Sequence, residues 1–295
     1  MLARDPLGIK PLCYATDDSL FAAASESVAL LNIGFAPEQI KSLPPGHVIT
    51  IVDNEIQLKK YSTTDSSAHC FFEWVYFAHV SSVMEGRTVY DARWRLGEHL
   101  AGNEAETIDD KCVVVAVPDT AKPIGDAFAF SLGILSLEGI VRNRYVGRTF
   151  IEGEERAKKV RSKYTLLPSV TGGKRVFLVE DSLVRSTTLR DLVKRTRDEG
   201  QADEVHVRIG APPVIAPCFY GIDMSTVSEL IAPQFFEGPV KGKLSREGLE
   251  TMGNELGADT LRYLTVDELN GALGLSECDL CEGCLTGEYP TEWGQ

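Results

Sequence analysis

The chain has 295 residues, of which 43% are hydrophobic, enough to form one or two globular domains, and its formal net charge at pH 7 is −13. The acidic balance argues against nucleic acid as a general partner, because binding a polyanion needs a basic surface. No apolar run approaches the roughly 20 residues of a membrane span, and the N-terminus lacks the pattern of a secretory signal. We therefore expect a cytoplasmic protein with no membrane partner, whose seven cysteines are reduced thiols or metal ligands.

The first part of the chain alternates short strand-like runs with turns. Apolar residues predict strands over residues 12–15, 20–24 and 48–52, an antiparallel β pattern. Cys13 falls within one of these runs, so we interpret it as a buried core thiol. The polar stretch 62–68 is interpreted as a linker.

From Cys70 onward, strand-like and helix-like stretches alternate. Strands are predicted over residues 113–117, 175–179 and 204–209, and helices over 189–199 and 266–275. This alternation indicates βαβ units and a parallel sheet.

A basic segment interrupts the otherwise acidic chain between Val141 and Lys163, with eight Lys or Arg and three Glu. It is either a solvated face or a lid that closes over a polyphosphate. Gly147, Gly153 and the absence of a helical apolar stripe favour a mobile loop.

Directly after that segment, the buried strand pattern of residues 176–179 runs into Glu180 and Asp181. A hydroxyl-rich turn follows, and Thr188 or a neighbour is predicted to cap the next helix. Backbone N–H groups at a helix N-terminus suit a phosphate, and the acidic pair suits sugar hydroxyls, a hydrated magnesium ion, or both. The alternative is that the acidic pair binds nothing and is only the solvated end of a strand.

This loop resembles the loop that binds phosphoribosyl pyrophosphate (PRPP) in type I phosphoribosyltransferases. Together with residues 139–151, 204–209 and 212–223, it resembles the glutamine PRPP amidotransferase family of purine synthesis. The resemblance implies an α/β type I phosphoribosyltransferase fold, in which helices flank a parallel sheet. Residues 1–12 and 24–27 resemble the second half of the family's glutaminase domain, so a partial antiparallel β domain of the N-terminal-nucleophile type would precede that fold. The implied domains are residues 1–68, 69–270 and a Cys-rich tail, 271–295.

The resemblance also assigns roles to single residues. PRPP would be bound by Glu180, Asp181, Ser182, Arg185, Ser186, Thr187 and Thr188. Magnesium would be held by Thr120, Glu180 and Asp181. The lid residues Arg142, Tyr145 and Arg148 would act on the departing pyrophosphate, together with Arg144, Arg161 and Lys163.

The loop departs from the family pattern at two positions. The family usually has Asp where Glu180 stands and Gly where Ser186 stands, and Ser would be strained there if the backbone required a positive φ. The stretch 121–125, taken as a loop, also differs from the usual Gly-rich version.

The spacing of Cys278, Cys281 and Cys284 predicts a metal site, either zinc or iron–sulfur, and zinc is the commoner choice for such spacing alone. The surrounding residues resemble the iron–sulfur branch of the family. That resemblance implies a [4Fe–4S] cluster held by Cys70, Cys218, Cys281 and Cys284. Cys278 would then be spare, and Cys112 would be a core thiol.

The chain begins inside what the family pattern makes a central glutaminase strand, so we expect the glutaminase nucleophile to be missing and the chain to be truncated. The implied reaction forms 5-phosphoribosylamine from PRPP and ammonia, which the intact family draws from glutamine. The resemblance further implies purine nucleotides as inhibitors and a homo-oligomer. The alternatives are a non-catalytic PRPP- or nucleotide-binding regulatory paralogue, an inactive fragment, and a salvage transferase acting on a free base.

Overall fold

The computed structural model describes residues 1–53, 55–143, 145, 163–224, 226–236, 242 and 244–294. Its N-terminal part contains two small antiparallel sheets with strand orders β1-β5-β6 and β3-β2-β4. The elements are β1 (Leu2–Ala3), β2 (Cys13–Thr16), β3 (Phe21–Ala24), α1 (Ser27–Asn32), β4 (Lys41–Ser42), β5 (His47–Val52) and β6 (Glu55–Lys60).

The three strands predicted in this region are confirmed to within a residue or two, and they pair antiparallel as expected. Strand β6 was not predicted, although Ile56 and Leu58 alternate with polar residues, and all six of its residues are exposed. Residues 61–68 contain no strand or helix. The assignment of residues 1–68 to a glutaminase domain, like the boundary near residue 270, stays a prediction.

The segment that follows joins the small sheets to the main sheet. It consists of β7 (His69–Cys70), a π-helical turn (Glu73–Phe77), β8 (Val83–Met84), β9 (Arg87–Thr88) and α2 (Val89–Gly102). Helix α2 begins where the Thr88 hydroxyl accepts a hydrogen bond from the Asp91 N–H, which satisfies one of the otherwise unpaired donors of the first turn.

The predicted parallel sheet is confirmed. Its strand order is β11-β10-β14-β15-β16, and all four pairings are parallel. The strands are β10 (Cys112–Ala116), β11 (Leu135–Ser136), β14 (Arg175–Glu180), β15 (Glu204–Ile209) and β16 (Thr260–Tyr263). Two short strands form a separate antiparallel pair: β12 (Ile140–Arg142) and β13 (Tyr164–Leu166).

Helices cover both faces of this sheet, as the sequence pattern predicts. The helices after β10 are α3 (Lys122–Leu132), α4 (Pro168–Thr171), α5 (Ser186–Asp198), α6 (Arg246–Leu256), α7 (Val266–Leu273) and α8 (Gly283–Thr286), and the last strand is β17 (Leu280–Cys281). Alternate residues of β14 point to opposite faces: Phe177 packs in the same core as α2, α3 and α7, whereas Leu178 packs with α5 and α6. None of the described helices is long and apolar enough to cross a membrane.

Two helix starts differ from the sequence predictions. Residues 121–125 are not a loop, because α3 begins at Lys122 and places Pro123 in its first turn, where a missing N–H costs nothing. Helix α5 begins at Ser186, three residues before the predicted start. Its N-cap is Arg185 with no side-chain cap, so the prediction that Thr188 or a neighbouring hydroxyl caps the helix is wrong.

Candidate active site and cysteine cavity

The acidic pair lies at the carboxyl end of the central strand of the parallel sheet. Glu180 is the last residue of β14, the four residues before it are completely buried, and Asp181 follows directly. Strands β10 and β15 flank β14 in parallel, so the ends of three strands meet here. Open α/β sheets bind ligands at this edge, outside the carboxyl ends of the strands.

Asp181 is held in place by two hydroxyl groups. Its side chain is buried, with 1% of the residue exposed. The Ser182 Oγ donates to Asp181 Oδ1 at 2.6 Å, and the Thr120 Oγ1 donates to Asp181 Oδ2. Thr120 comes from the loop after β10, so the fold brings together the residues that the resemblance assigns to magnesium.

Positive charge near the two carboxyl groups offsets their burial only in part: Lys163 acts on both, and Arg93 acts on Asp181. Burial raises the pKa of Glu180 well above its usual range, the charge of Asp181 raises it further, and Lys163 opposes the shift only in part. Burial also raises the pKa of Asp181, against the hydrogen bonds from Ser182 and Thr120. A cation bound beside the pair would remove this penalty.

The basic side of the site is formed by β12 and β13. The Arg142 guanidinium forms an ion pair with Asp119, and the Asn143 N–H donates to the Lys163 carbonyl at 2.8 Å. Burial and the charge of Arg142 lower the pKa of Lys163, while Glu180 acts in the opposite direction. Lys163 therefore lies within electrostatic reach of the acidic pair.

The remaining lid residues do not contact the acidic pair in the described part of the chain. The Tyr145 side chain is 99% exposed, and its N–H donates to the Asn143 side-chain oxygen at 3.0 Å. Arg144, Arg148 and Arg161 lie outside the described residues.

The hydroxyl-rich turn forms the first turn of α5. Ser186 begins the helix and is not among the residues with positive φ, so Ser in place of Gly causes no backbone strain here. Thr187 and Thr188 are exposed in the first turn. The Arg185 guanidinium forms an ion pair with Glu229, with an Nη2–Oε2 distance of 2.9 Å.

A second candidate site is an apolar cavity whose wall includes the four cysteines that the resemblance assigns to a cluster. Strands β7 and β17 pair in parallel with Cys70 opposite Cys281. The Ile215 N–H donates to the Cys284 carbonyl at 2.9 Å, which brings the chain before Cys218 to the tail. The lining residues are Ile9, Cys70, Phe72, Cys218, Tyr220, Ile222, Met224, Cys281, Cys284 and Tyr289.

The cavity strongly disfavours thiolates without a bound cation. Burial raises the pKa of Cys70 to about 12 and that of Cys281 to about 11. Burial and the neighbouring Cys70 raise the pKa of Cys284 as well. Cys278 is exposed, whereas Cys13 and Cys112 are buried, as predicted for core thiols.

The side chains at both sites are of the kinds that bind the implied metals. Within the described ranges, however, no three His, Cys, Asp or Glu side chains are arranged to hold a metal ion. Magnesium is often bound by one or two carboxylates plus water and substrate phosphates, which suits Glu180 and Asp181. Four cysteines in one apolar cavity with no histidine in its wall suit an iron–sulfur cluster or a zinc ion with four thiolate ligands.

Sequence reasoning missed two groups near these sites. Asp119 was assigned no site role from the sequence, and its carboxylate pairs with Arg142. Tyr220 and Tyr289 line the cysteine cavity, and neither has a local sequence signal that distinguishes it from a core aromatic residue.

No family model matches the chain, whereas individual relatives match almost all of it. It is 40% identical over 292 residues to the amidophosphoribosyltransferase of Methanothermobacter thermautotrophicus, covering 98% of this chain and 58% of the relative. It is 38% identical over 298 residues to that of Bacillus subtilis, covering 99% and 59%.

Solved structures give the same result. A glutamine PRPP amidotransferase from B. subtilis complexed with ADP and GMP is 38% identical, with a TM-score of 0.83 over 98% of this chain and 61% of that one. A structure described as the allosteric regulatory enzyme of purine biosynthesis is 37% identical, with a TM-score of 0.84 over 98% and 60%. The chain thus spans about three-fifths of the length of its relatives. Over nearly all of its own length, the chain is therefore similar in sequence and in fold to these amidophosphoribosyltransferases.

Proposed function

We propose that the chain catalyses the phosphoribosyl transfer that opens purine synthesis, forming 5-phosphoribosylamine from PRPP and ammonia. The proposal rests chiefly on the acidic pair at the end of β14 and on α5, which begins at Ser186 after a four-residue turn and carries hydroxyl groups in its first turn. The names of the relatives support the same reaction.

In this proposal, Glu180 and Asp181 hold the ribose hydroxyls, and the 5′-phosphate binds the N–H and hydroxyl groups of the turn. The contributing residues are Ser182, Arg185, Ser186, Thr187 and Thr188. The bond between ribose C1 and pyrophosphate breaks, a bond from C1 to the ammonia nitrogen forms, and the nitrogen loses a proton. Arg142, Tyr145 and Arg148 then neutralise and release pyrophosphate, so catalysis consists mainly of orientation and charge stabilisation.

Magnesium would be held by Glu180, Asp181 and Thr120, where it would offset the raised pKa values of the two carboxyls. When bound, the ion supplies positive charge to the pyrophosphate oxygens. The Thr120 hydroxyl, already bonded to Asp181, keeps that carboxylate oriented for the ion.

The four cavity cysteines, Cys70, Cys218, Cys281 and Cys284, would hold a [4Fe–4S] cluster. We assign it a structural role, because its ligands would join β7, the loop after β15 and the C-terminal tail. Stoichiometric zinc in the purified protein would contradict this assignment.

The similarity to these relatives also supports partners for the whole protein. We propose that glutamine is the ultimate source of ammonia, that purine nucleotides inhibit, and that the protein forms a homo-oligomer. The relative solved with ADP and GMP supports the nucleotide part of the proposal.

The test is release of pyrophosphate from PRPP by anaerobically purified protein with magnesium. We expect release that depends on ammonium chloride and falls on the order of 100-fold in Asp181→Asn, which loses a fixed charge at the reacting sugar. Asp110→Asn, an exposed position away from the site, is the matched control. Binding of PRPP without ammonia-dependent turnover in the wild type would instead identify a sensor.

A further inference from the structure

The loop formed by residues 4–10 is a wall of the cysteine cavity, although it is far from the cysteines in sequence. Ile9 lines the cavity, and its carbonyl accepts a hydrogen bond from the Cys70 N–H at 3.1 Å. The Leu7 carbonyl accepts one from the Ala68 N–H at 2.8 Å. The loop is thereby attached to the strand that carries the first cysteine.

The loop is also rigid, because two buried or half-buried charged side chains bond to its backbone. The Asp5 Oδ1 accepts from the N–H groups of Leu7 and Ile9, the latter at 2.9 Å. The buried Arg4 guanidinium donates to the Lys10 carbonyl at 2.9 Å and to the Gly8 carbonyl at 3.1 Å. The backbone of Lys10 is therefore fixed beside the cavity.

The ammonium group of Lys10 lies between two cysteine-bearing segments. Its Nζ is 2.9 Å from the Glu73 carboxylate, three residues after Cys70, and 5.7 Å from the centre of the Phe77 ring. On the other side, its Cε would be 3.8 Å from a methyl group on Gly221, three residues after Cys218.

Charged side chains of both signs act on the cavity thiols. Lys10 is a cation that acts on both Cys70 and Cys281, whereas the carboxylate of Glu73 acts on Cys70 and that of Glu282 acts on Cys281. The Glu73 carboxylate pairs with the ammonium group, and a lysine side chain is a cation at neutral pH.

We propose that Lys10 is the electrostatic counter-charge of the cysteine cavity and raises the reduction potential of the iron–sulfur cluster held there. This inference rests on the proposed [4Fe–4S] assignment. A cluster with four thiolate ligands becomes more negative on reduction, so a nearby fixed cation stabilises the reduced form in a low-dielectric cavity. Lys10 is a positioning residue, since it acts through the charge it places beside the ligands.

The experiment is a redox titration of the anaerobically purified full chain, followed by the electron paramagnetic resonance signal of the reduced cluster. We expect Lys10→Met to shift the midpoint potential to a more negative value, and Glu73→Gln to shift it to a more positive value. Lys10→Arg keeps the charge and should remain close to the wild type. Lys59→Met, an exposed lysine on β6, is the matched control.

Iron and sulfide content separates the possible failures. Wild-type protein without iron would overturn both the cluster and the role of Lys10. Normal iron in Lys10→Met with an unchanged potential would overturn only the role of Lys10. Shifts of the same sign in Lys10→Met and Glu73→Gln would also overturn it, because they would report general disturbance of the cavity and not charge.

Discussion

At the scale of single residues, the two adjacent carboxyls of the candidate active site differ in how firmly they are held. Asp181 is buried and accepts hydrogen bonds from Ser182 and Thr120, so its orientation is set before any ligand arrives. Glu180 is only partly buried, and its longer arm makes no hydrogen bond or ion pair with another described residue. We infer that Glu180 is the carboxylate that adjusts when ligands bind.

The raised pKa of Glu180 predicts a conflict between stability and activity. A carboxyl whose pKa is raised on folding costs stability as the pH rises from the usual glutamate range to the raised value, because only the unfolded chain ionises freely there. We expect Glu180→Gln to unfold at a higher temperature than the wild type at pH 7 without ligands. Its kcat/KM for PRPP should fall on the order of 100-fold.

The pH dependence of the melting temperature distinguishes the ionisation of Glu180 from an incidental change in packing. The difference in melting temperature between Glu180→Gln and the wild type should be small at about pH 4 and larger at neutral pH. Glu55→Gln, an exposed glutamate on β6, should show no such trend. An equal gain in melting temperature at both pH values would refute the assignment to ionisation.

At the scale of elements, the packing of α2 against α3 positions Thr120. A Cβ at Gly97 of α2 would lie 2.2 Å from the Ile124 carbonyl oxygen of α3. Glycine at this point lets the two backbones approach closely. Because α3 begins two residues after Thr120, the position of this helix also determines where the Thr120 hydroxyl meets Asp181.

We expect Gly97→Ala to destabilise the protein even though alanine favours helix. Forcing the helices apart costs about 1–3 kcal/mol, whereas the gain in helix propensity is at most about 1 kcal/mol. Urea unfolding measures the net loss, and ammonia-dependent activity should fall with it.

Gly102→Ala is the matched control, since it lies at the end of the same helix and its Cβ would meet open space. That variant should be neutral or more stable by up to about 1 kcal/mol. If Gly97→Ala were as stable as Gly102→Ala, close packing at Gly97 would not constrain the fold.

At the scale of the whole molecule, the C-terminal tail is attached to the main domain at several points around the cysteine cavity. The Tyr289 hydroxyl donates to the Pro217 carbonyl at 2.6 Å, and Tyr220 and Thr291 share a hydrogen bond of 2.7 Å. Strand β17 contributes two residues to its sheet. A bound cluster would add covalent cross-links to these non-covalent contacts.

We therefore expect Cys284→Ser to loosen the tail without unfolding the parallel sheet. Hydrogen exchange followed by mass spectrometry should show faster exchange over residues 277–294 and unchanged protection in β14 and β15. Cys112→Ser, which replaces a buried cysteine outside the cavity, should leave exchange in the tail unchanged. Equal exchange of the tail in Cys284→Ser and the wild type would show that the cluster does not secure it.

Local sequence signals predicted the main sheet well and the helix starts less well. Strand β15 was predicted over residues 204–209 and is observed as Glu204–Ile209, because Val205, Val207 and Ile209 recur at every second position, the period of a strand. Comparison with the family pattern predicted a loop over residues 121–125, yet Pro123 and Gly125 lie in α3. Gly125 is explained only by packing, since a Cβ there would lie 2.8 Å from the Ala116 side chain.

The sequence by itself determined the order of strand, acidic pair and hydroxyl turn, and the close spacing of Cys281 and Cys284, because these features depend on neighbours along the chain. Only the tertiary structure decided that Thr120 reaches Asp181 across 61 positions, that Ser186 avoids strain, and that Ile9 borders the cysteines. Such contacts depend on sheet register and helix packing, which bring distant segments together and which no local pattern encodes.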